Sequence, residues 1–255
     1  MQLYILTHGR VDRQVTYAQL PPSLKERAVF VVQECEQQLW VDRKVDNILV
    51  LPPSVTNLHQ TRQYLLDNVH TGKALEMDDD IVFSVRRTDD PTKFGPMQEQ
   101  DYYDMFTAIG SALDNYKMVG VVAREGANRN TDTVLVATRQ MRLHAYDAEY
   151  FKEHNLRWDM LRSPGPEDFA MILQLLTRGE ANCVLNQWCQ NQGSNTSGGC
   201  STYRTLDVHH DACHHLAELF PDFVKTVRKK TKGAWGGQER TDVIIQWKKA
   251  LAHGE

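Results

Sequence analysis

Short apolar runs that end in polar or turn-forming residues predict four strands in the first third of the chain. These runs cover residues 3–6, 28–32, 47–51 and 73–77. Between the third and the fourth run, Leu58, Leu65, Leu66 and Val69 recur at the spacing of one helical face, which predicts a helix over residues 57–69. This alternation is typical of an α/β fold with a mostly parallel sheet flanked by helices, whose ligands bind at the carboxyl ends of the strands.

The rest of the chain continues this pattern less regularly. Strands are predicted over residues 81–85, 119–122 and 133–137, and helices over residues 98–116 and 166–178. Two stretches rich in Gly, Ser or Asn predict loops at residues 190–199 and 233–237. Because no shift in composition marks a boundary, we expect a core over residues 1–180 and a C-terminal elaboration over residues 181–255 that belongs to the same unit.

Composition narrows the classes of protein to which the chain can belong. A formal net charge of −4 argues against a protein that binds nucleic acid over its whole surface. The five cysteines include no C-x-x-C pair, which favours a reducing compartment over a disulfide framework. The N-terminus lacks the pattern of a signal peptide, and no run of about 18 apolar residues follows it. We therefore expect a cytoplasmic protein without a membrane span.

Three consecutive carboxylates, Asp78, Asp79 and Asp80, follow the fourth predicted strand directly. They repel one another unless a cation or a turn compensates their charge. One interpretation is a polar turn in which Asp side chains cap backbone N–H groups. The other is a site for Mg²⁺ or Mn²⁺, with Asp78 and Asp80 on one side of an extended segment. Such an ion would neutralise the diphosphate of a leaving nucleotide.

Arg62 falls inside the apolar stripe of the helix predicted over residues 57–69. A charged side chain on a buried helical face needs a partner. Two interpretations are compatible with each other: an internal salt bridge to a carboxylate in the core, and a cation close to the nucleotide or to the aspartates.

Glu167 and Asp168 stand at the start of the helix predicted over residues 166–178. Acidic residues in a first helical turn are favoured by the helix dipole, which by itself explains their presence. Alternatively, one of these carboxylates deprotonates an acceptor hydroxyl as a general base, which gives inversion at the attacked carbon. Asp168 is the first choice for this role and Glu167 the second.

Histidine is concentrated around Cys213, at positions 209, 210, 214 and 215. At helical spacing His210, Cys213 and His214 share a face, but a fourth ligand at standard zinc spacing is absent. A histidine of this cluster, His209 or His210, would instead complete the ligand shell of the cation at the aspartates, and we assign His210. The remaining interpretation is a set of surface histidines.

A basic run near the C-terminus predicts either a solvated face or a contact with nucleic acid. It consists of Lys225, Arg228, Lys229, Lys230 and Lys232. The glycine-rich segment 233–237 then carries Trp235, and Arg240 follows. In the second interpretation the charges neutralise the phosphate backbone and the indole stacks on a base, and binding weakens steeply with salt.

The order of these features resembles the GT-A glycosyltransferases over about residues 2–178. The motifs that carry the resemblance are LYILTHGR at 3–10, VFVVQ at 29–33, TR at 61–62, ALEMDDD at 74–80 and GPEDF at 165–169. Within that fold the chain looks most like the phage glycosyltransferases associated with TET/JBP oxygenases, which are thought to attach sugars to hydroxymethylated pyrimidines in DNA. If a phage encodes the chain, we expect it in the host cytoplasm.

The resemblance implies a role for each matching motif. The nucleotide would lie among Thr7, Gly9, Arg10 and Gln33. Arg62 would lie near the donor, a UDP-sugar, with Asp79 beside it. Asp78 and Asp80 would form the D-x-D motif that holds Mn²⁺ or Mg²⁺, and Asp168 would be the base. The histidine-rich C-terminal region has no clear counterpart in the family.

Three functions are compatible with the sequence. The first is transfer of a sugar to the hydroxymethyl group of 5-hydroxymethylcytosine or 5-hydroxymethyluracil in duplex DNA, which requires the base to be flipped out of the stack. The second is transfer to a polysaccharide, a lipid-linked sugar or a protein. The third is a non-enzymatic nucleic-acid-binding module in which the aspartates are structural.

Overall fold

The computed structural model describes residues 1–192, 198–231 and 237–254. The strands are β1 (Leu3–Leu6), β2 (Ala28–Gln33), β3 (Ile48–Leu51), β4 (Lys73–Asp78), β5 (Ile81–Arg86), β6 (Phe94–Pro96), β7 (Met118–Ala123), β8 (Val134–Val136), β9 (Leu143–Asp147), β10 (Cys183–Gln192), β11 (Val224–Lys230) and β12 (Glu239–Ile245). The helices are α1 (Val15–Gln19), α2 (Pro22–Lys25), α3 (Gln37–Asp42), α4 (Leu58–Asn68), α5 (Glu99–Ala112), α6 (Arg124–Ala127), α7 (Ala148–Glu153), α8 (Glu167–Leu176), α9 (Leu206–Leu219) and α10 (Trp247–Gly254). None of these helices is long and apolar enough to cross a membrane.

A 10-stranded sheet forms the centre of the described structure, in the order β3-β2-β1-β4-β9-β7-β10-β5-β6, with β8 paired to β10. Strands β3, β2, β1 and β4 are parallel neighbours, so their carboxyl ends lie along one edge. Strand β9 runs antiparallel between β4 and β7, and β10 runs parallel to β7. Strands β11 and β12 form a separate antiparallel pair. The predicted α/β fold, a sheet flanked by helices, is confirmed.

The strands predicted in the first third and the helix predicted over residues 57–69 are confirmed to within one residue at each end, whereas α1, α2 and α3 were not predicted. Asn57 caps the N-terminus of α4, because its side chain accepts a hydrogen bond from the Gln60 N–H. Helix α5 ends at Ala112, four residues earlier than predicted. The loop predicted over residues 190–199 begins inside β10, and residues 193–197 of it lie outside the described residues.

Strand β10 occupies a central position in the sheet although its sequence contains several amides. Asn186 is fully buried, and its side-chain N–H groups donate to the carbonyls of Asn130 and Asp132. Its side-chain oxygen accepts a hydrogen bond from Arg86 at 2.6 Å. Because these polar groups are satisfied inside the protein, a buried strand forms here without the apolar pattern that identifies one in sequence.

Helix α8 is almost entirely buried. All residues from Ala170 to Leu176 are buried, in a cluster that also includes Trp158 and Leu216. The preceding loop packs so closely on α9 that a Cβ on Gly165 would lie 2.2 Å from the Ala212 Cβ. This packing determines where the acidic first turn of α8 lies.

Candidate active site

A cavity of about 470 Å³ opens at the carboxyl ends of the four parallel strands. Its wall combines the ends of these strands with the starts of α4 and α8, residues 198–204, α9 and β12. The structure brings most of the predicted site residues together here: Thr7, Arg10, Gln33, Arg62, Asp78, Asp79, Asp80, Glu167, Asp168 and Arg240. Residues far apart in the sequence therefore share one cavity, as expected at the strand ends of an α/β sheet.

Arg10 compensates the negative charge of two of the three aspartates. Strand β4 ends at Asp78, and Asp79 and Asp80 form the turn that leads into β5. The Arg10 Nη1 lies 2.5 Å from Asp79 Oδ1 and 2.8 Å from Asp80 Oδ2. The Thr7 hydroxyl donates to Asp79 Oδ2 at 2.6 Å. Asp78 and Asp80 were predicted to share one side of an extended segment. Because the chain turns after Asp78, the segment is not extended through Asp79 and Asp80.

Asp78 is the member of the cluster that is most accessible from the cavity. Its side chain is 24% exposed, compared with 3% for Asp79 and 1% for Asp80. Burial raises the pKa of Asp78 to about 7, while the nearby Arg62 guanidinium lowers it. A hard divalent cation would find one open carboxylate here, with a second, Asp80, held by Arg10 and by the Gln192 amide at 2.6 Å.

Arg62 lies between three carboxylates. It forms a salt bridge in the core and is also a cation close to the aspartates, as the two interpretations of its position predict. Its Nη1 lies 3.3 Å from Glu76 Oε2, and its Nη2 lies 3.1 Å from Asp78 Oδ1. Its Nε lies 4.0 Å from Glu167 Oε1. Glu76 is fully buried and also accepts a hydrogen bond from the Tyr146 hydroxyl at 2.5 Å. Arg62 therefore joins a core carboxylate to the cavity.

The two acidic residues of α8 have different surroundings. Glu167 is only 5% exposed and is flanked by Arg62 and by Arg204, whose Nη2 lies 3.9 Å from Glu167 Oε2. Asp168 also lines the cavity. Burial and then the Glu167 charge raise the pKa of Asp168 to about 7. A carboxyl group whose pKa lies near neutrality is suited to general-base chemistry at neutral pH.

Gly9 and His210 lie outside the lining of the cavity. Gly9 has a φ of +68°, which favours glycine, and its N–H donates to Glu36 Oε1. In α9, His209 lines the cavity and His210 does not, because adjacent helical residues point about 100° apart. Within residues 1–192, 198–231 and 237–254, no three His, Cys, Asp or Glu side chains are arranged to hold a metal ion by themselves.

The described members of the basic run lie on strand β11. They do not line the cavity, whereas Arg240 on the paired strand β12 does. Arg228 lies 3.8 Å from Glu239, and Lys229 donates to Asp242 at 2.9 Å. Lys232 and Trp235 lie outside the described residues.

Several cavity residues carried no recognisable signal in the sequence. The Tyr203 hydroxyl accepts a hydrogen bond from the Leu58 N–H at 3.0 Å, which ties residues 198–204 to the start of α4. Arg142 has a φ of +64°, and its carbonyl accepts a hydrogen bond from the Asp78 N–H at 2.9 Å. Such a conformation in a non-glycine residue is concentrated at functional sites. No periodicity or motif identifies these positions, because their role follows from long-range contacts.

The solved structures that match the chain include one in complex with UDP-GlcNAc. The chain matches S. aureus TarS 1–349 in complex with UDP-GlcNAc with a TM-score of 0.53 and 12% identity, over 87% of this chain and 67% of that one. A second structure of S. aureus TarS 1–349 matches with a TM-score of 0.46 and 13% identity, over 76% of this chain and 61% of that one. No curated protein matches the chain.

The family is established by a sequence model described as TET-associated glycosyltransferase, which matches residues 1–199. The match covers the parallel strands, the aspartates and the start of α8, and it ends before α9 and the β11–β12 pair. The resemblance inferred from the motifs is thereby confirmed. The chain belongs to the TET-associated glycosyltransferase family and is a glycosyltransferase with a GT-A-like fold.

Proposed function

We propose that this enzyme transfers a sugar from a UDP-sugar to the hydroxymethyl group of 5-hydroxymethylcytosine or 5-hydroxymethyluracil in phage DNA. The observation that carries the proposal is one cavity lined by the strand-end residues, by Asp78, by Asp168 and by Arg240. Donor-binding, catalytic and acceptor-side groups are thus within reach of one substrate pair. The family name, which associates these glycosyltransferases with TET, supports the choice of acceptor.

For the donor, Thr7, Arg10 and Gln33 would surround the nucleotide at the ends of β1 and β2. The TarS relative holds UDP-GlcNAc, which supports a nucleotide sugar of the same class. Mn²⁺ or Mg²⁺ would be held by Asp78, with Asp80 beside it, and such ions commonly take the rest of their ligands from substrate phosphates and water. The ion would supply positive charge to the leaving diphosphate. The assignment of His210 as a third ligand stays a prediction.

For the chemistry, Asp168 would take the proton of the acceptor hydroxyl. The hydroxyl oxygen attacks the anomeric carbon, the bond from that carbon to the diphosphate breaks, and the diphosphate leaves with the electron pair. A single displacement of this kind inverts the anomeric configuration. Glu167, held between Arg62 and Arg204, would keep the first turn of α8 in position.

For the acceptor, duplex DNA would lie along the β11–β12 pair. Lys225, Arg228, Lys229 and Lys230 carry positive charge on β11, and Lys232 and Trp235 follow this strand in the sequence. Lysine and arginine contacts with phosphates release counterions, so binding should weaken with salt. A base must leave the stack to enter a cavity of this kind.

The pH dependence of kcat/KM tests the base. Because the pKa of Asp168 is raised to about 7, its carboxylate form is lost as the pH falls through neutrality. We expect kcat/KM to fall about tenfold per pH unit below this value and to be flat above it. Steady-state rates with saturating metal measure this profile. A rate that stays constant from about pH 8 to about pH 5 would show that another group, or none, acts as the base.

Donor and metal binding can be tested without an acceptor. UDP-glucose or UDP-GlcNAc with Mn²⁺ should raise the melting temperature, by the equivalent of about 2.7 kcal/mol at 100 times Kd, and EDTA should remove most of the shift. In Asp78→Asn the donor-induced shift should be reduced. Asp104→Asn on α5, outside the cavity, is the matched control.

Transfer itself is measured by mass spectrometry of nucleosides from hydroxymethylated DNA after incubation with UDP-sugar and Mn²⁺. A glycosylated hydroxymethylpyrimidine supports the proposal. Transfer to a polysaccharide or a protein with none to DNA would assign the acceptor to another class. A lack of transfer to any acceptor would contradict the proposal.

A further inference from the structure

One wall of the cavity is made by residues that the family match does not include. His209 on α9 and Arg240, Asp242 and Val243 on β12 all line the cavity, and all follow residue 199. The donor-side residues lie on the other elements, at the ends of β1, β2 and β4. Helix α8 contributes Asp168 and Phe169 to the same cavity. The wall formed by α9 and β12 is therefore available for the acceptor.

The two charged residues of this wall form a side-by-side donor and acceptor pair. Arg240 and Asp242 are two positions apart in β12, so their side chains leave the same face of the strand. The Arg240 Nη2 donates to Asp242 Oδ2 at 3.2 Å, and the Lys229 Nζ donates to the same oxygen at 2.9 Å. Both side chains are partly exposed, 38% for Arg240 and 21% for Asp242.

Asp242 can act only as a hydrogen-bond acceptor at neutral pH. Although its partial burial opposes ionisation, the hydrogen bond from Lys229 and the charges of Lys229 and Arg240 lower its pKa. A guanidinium group offers only donors. A ligand edge that matches the pair must therefore present a donor beside an acceptor.

The Watson–Crick edge of a pyrimidine has this pattern. Cytosine presents its N4 amino group beside the acceptors N3 and O2, and uracil presents N3–H between the acceptors O4 and O2. The apolar contact that a face of the ring requires is offered by Phe169, whose ring packs edge-on against Trp247 at 5.5 Å.

We propose that Arg240 and Asp242 bind the Watson–Crick edge of the flipped acceptor base, so that β12 forms the acceptor-base subsite. This inference rests on the proposed function, a pyrimidine in DNA as the acceptor. C5, which carries the hydroxymethyl group, lies on the side of the ring opposite N3 and O2. A base held by its Watson–Crick edge on β12 therefore directs its hydroxymethyl group to the remaining cavity, which contains Asp168 and Asp78.

The test compares two oligonucleotides that differ only in the modified base. Asp242→Asn replaces an acceptor-only group by an amide that both donates and accepts. We expect kcat/KM for hydroxymethylcytosine DNA to fall about 10- to 100-fold, since a hydrogen bond to a charged group is lost. For hydroxymethyluracil DNA kcat/KM should fall to a similar extent, because N3–H of uracil donates to Asp242 as the amino group of cytosine does. The affinity for UDP-sugar with Mn²⁺, measured by calorimetry, should stay the same and reports that the variant is folded.

Asp207→Asn is the matched control, because this exposed residue in the first turn of α9 undergoes the same change of charge outside the cavity. It should leave both kcat/KM values unchanged. A general loss of DNA binding would also weaken the binding of a duplex without a modified base, whose Kd should stay the same in Asp242→Asn. The subsite alone is overturned if Asp242→Asn leaves both kcat/KM values unchanged, or if the affinity for the unmodified duplex falls as much as kcat/KM does. If the wild-type enzyme transfers sugar to neither oligonucleotide, the proposed acceptor and the subsite are overturned together.

Discussion

Replacing Asp168 by asparagine is expected to lower kcat about 10²- to 10⁴-fold, the usual contribution of a positioned general base. The amide has nearly the same shape, but it cannot take the proton of the acceptor hydroxyl. Because Asp168 is on α8 and the donor-side residues are on the strand ends, the affinity for UDP-sugar should change little. Single-turnover rates and calorimetry with UDP-sugar measure the two quantities separately.

Glu167→Gln is the comparison that assigns the base. Glu167 lies between Arg62 and Arg204, at 4.0 Å and 3.9 Å, and its carboxylate is therefore engaged by two cations. We expect a smaller loss of kcat than in Asp168→Asn, together with a pH profile that keeps its acidic limb. If instead Glu167→Gln loses more activity and the limb disappears, Glu167 is the base and Asp168 supports it.

Replacing Arg62 by methionine is expected to lower the free energy of unfolding by about 3–5 kcal/mol, the range for breaking a buried ion pair. Methionine keeps much of the side-chain volume but removes the guanidinium that contacts Glu76, which is fully buried. Asp78 loses the same partner. Urea denaturation followed by circular dichroism measures the change, and UDP-sugar affinity should fall in parallel because Asp78 becomes harder to ionise.

Arg162→Met is the control for Arg62. Arg162 also contacts two carboxylates, Asp211 and Glu218, both at 2.8 Å, but its side chain is 46% exposed. Solvent screens such pairs, so its removal should leave the urea midpoint nearly unchanged. Equal destabilisation by the two substitutions would mean that burial does not strengthen the Arg62 contacts.

Local patterns in the sequence were sufficient for the first four strands and for α4. These strands are short, mostly apolar runs closed by polar residues or proline, and α4 has an apolar stripe with Asn57 as its cap. The same kind of pattern was absent from β10, where Asn186 and Gln190 are buried in the sheet and are satisfied by hydrogen bonds to distant residues. Hydrophobic periodicity cannot detect a buried strand whose polar groups find partners elsewhere in the chain.

Only part of the candidate site could be identified from the sequence. Asp78 and Asp168 could be identified from sequence because one follows a strand and the other begins a helix, and the family resemblance linked them. The partners of these carboxylates could not be identified. The contact of Arg10 with Asp79 joins residues 69 positions apart, and the bond from Gln192 to Asp80 joins residues 112 positions apart.

By itself, the sequence determined where acidic side chains follow buried segments, and through its motifs it determined the family. These properties depend on neighbouring residues, and the chain displays them before it folds. The tertiary structure alone decided which carboxylate is open to the cavity and which carboxylates have their charge compensated by Arg10 and Arg62. It also decided that β12 forms part of the cavity wall. Burial and charge pairing depend on distances between remote parts of the chain, and only folding brings those parts together.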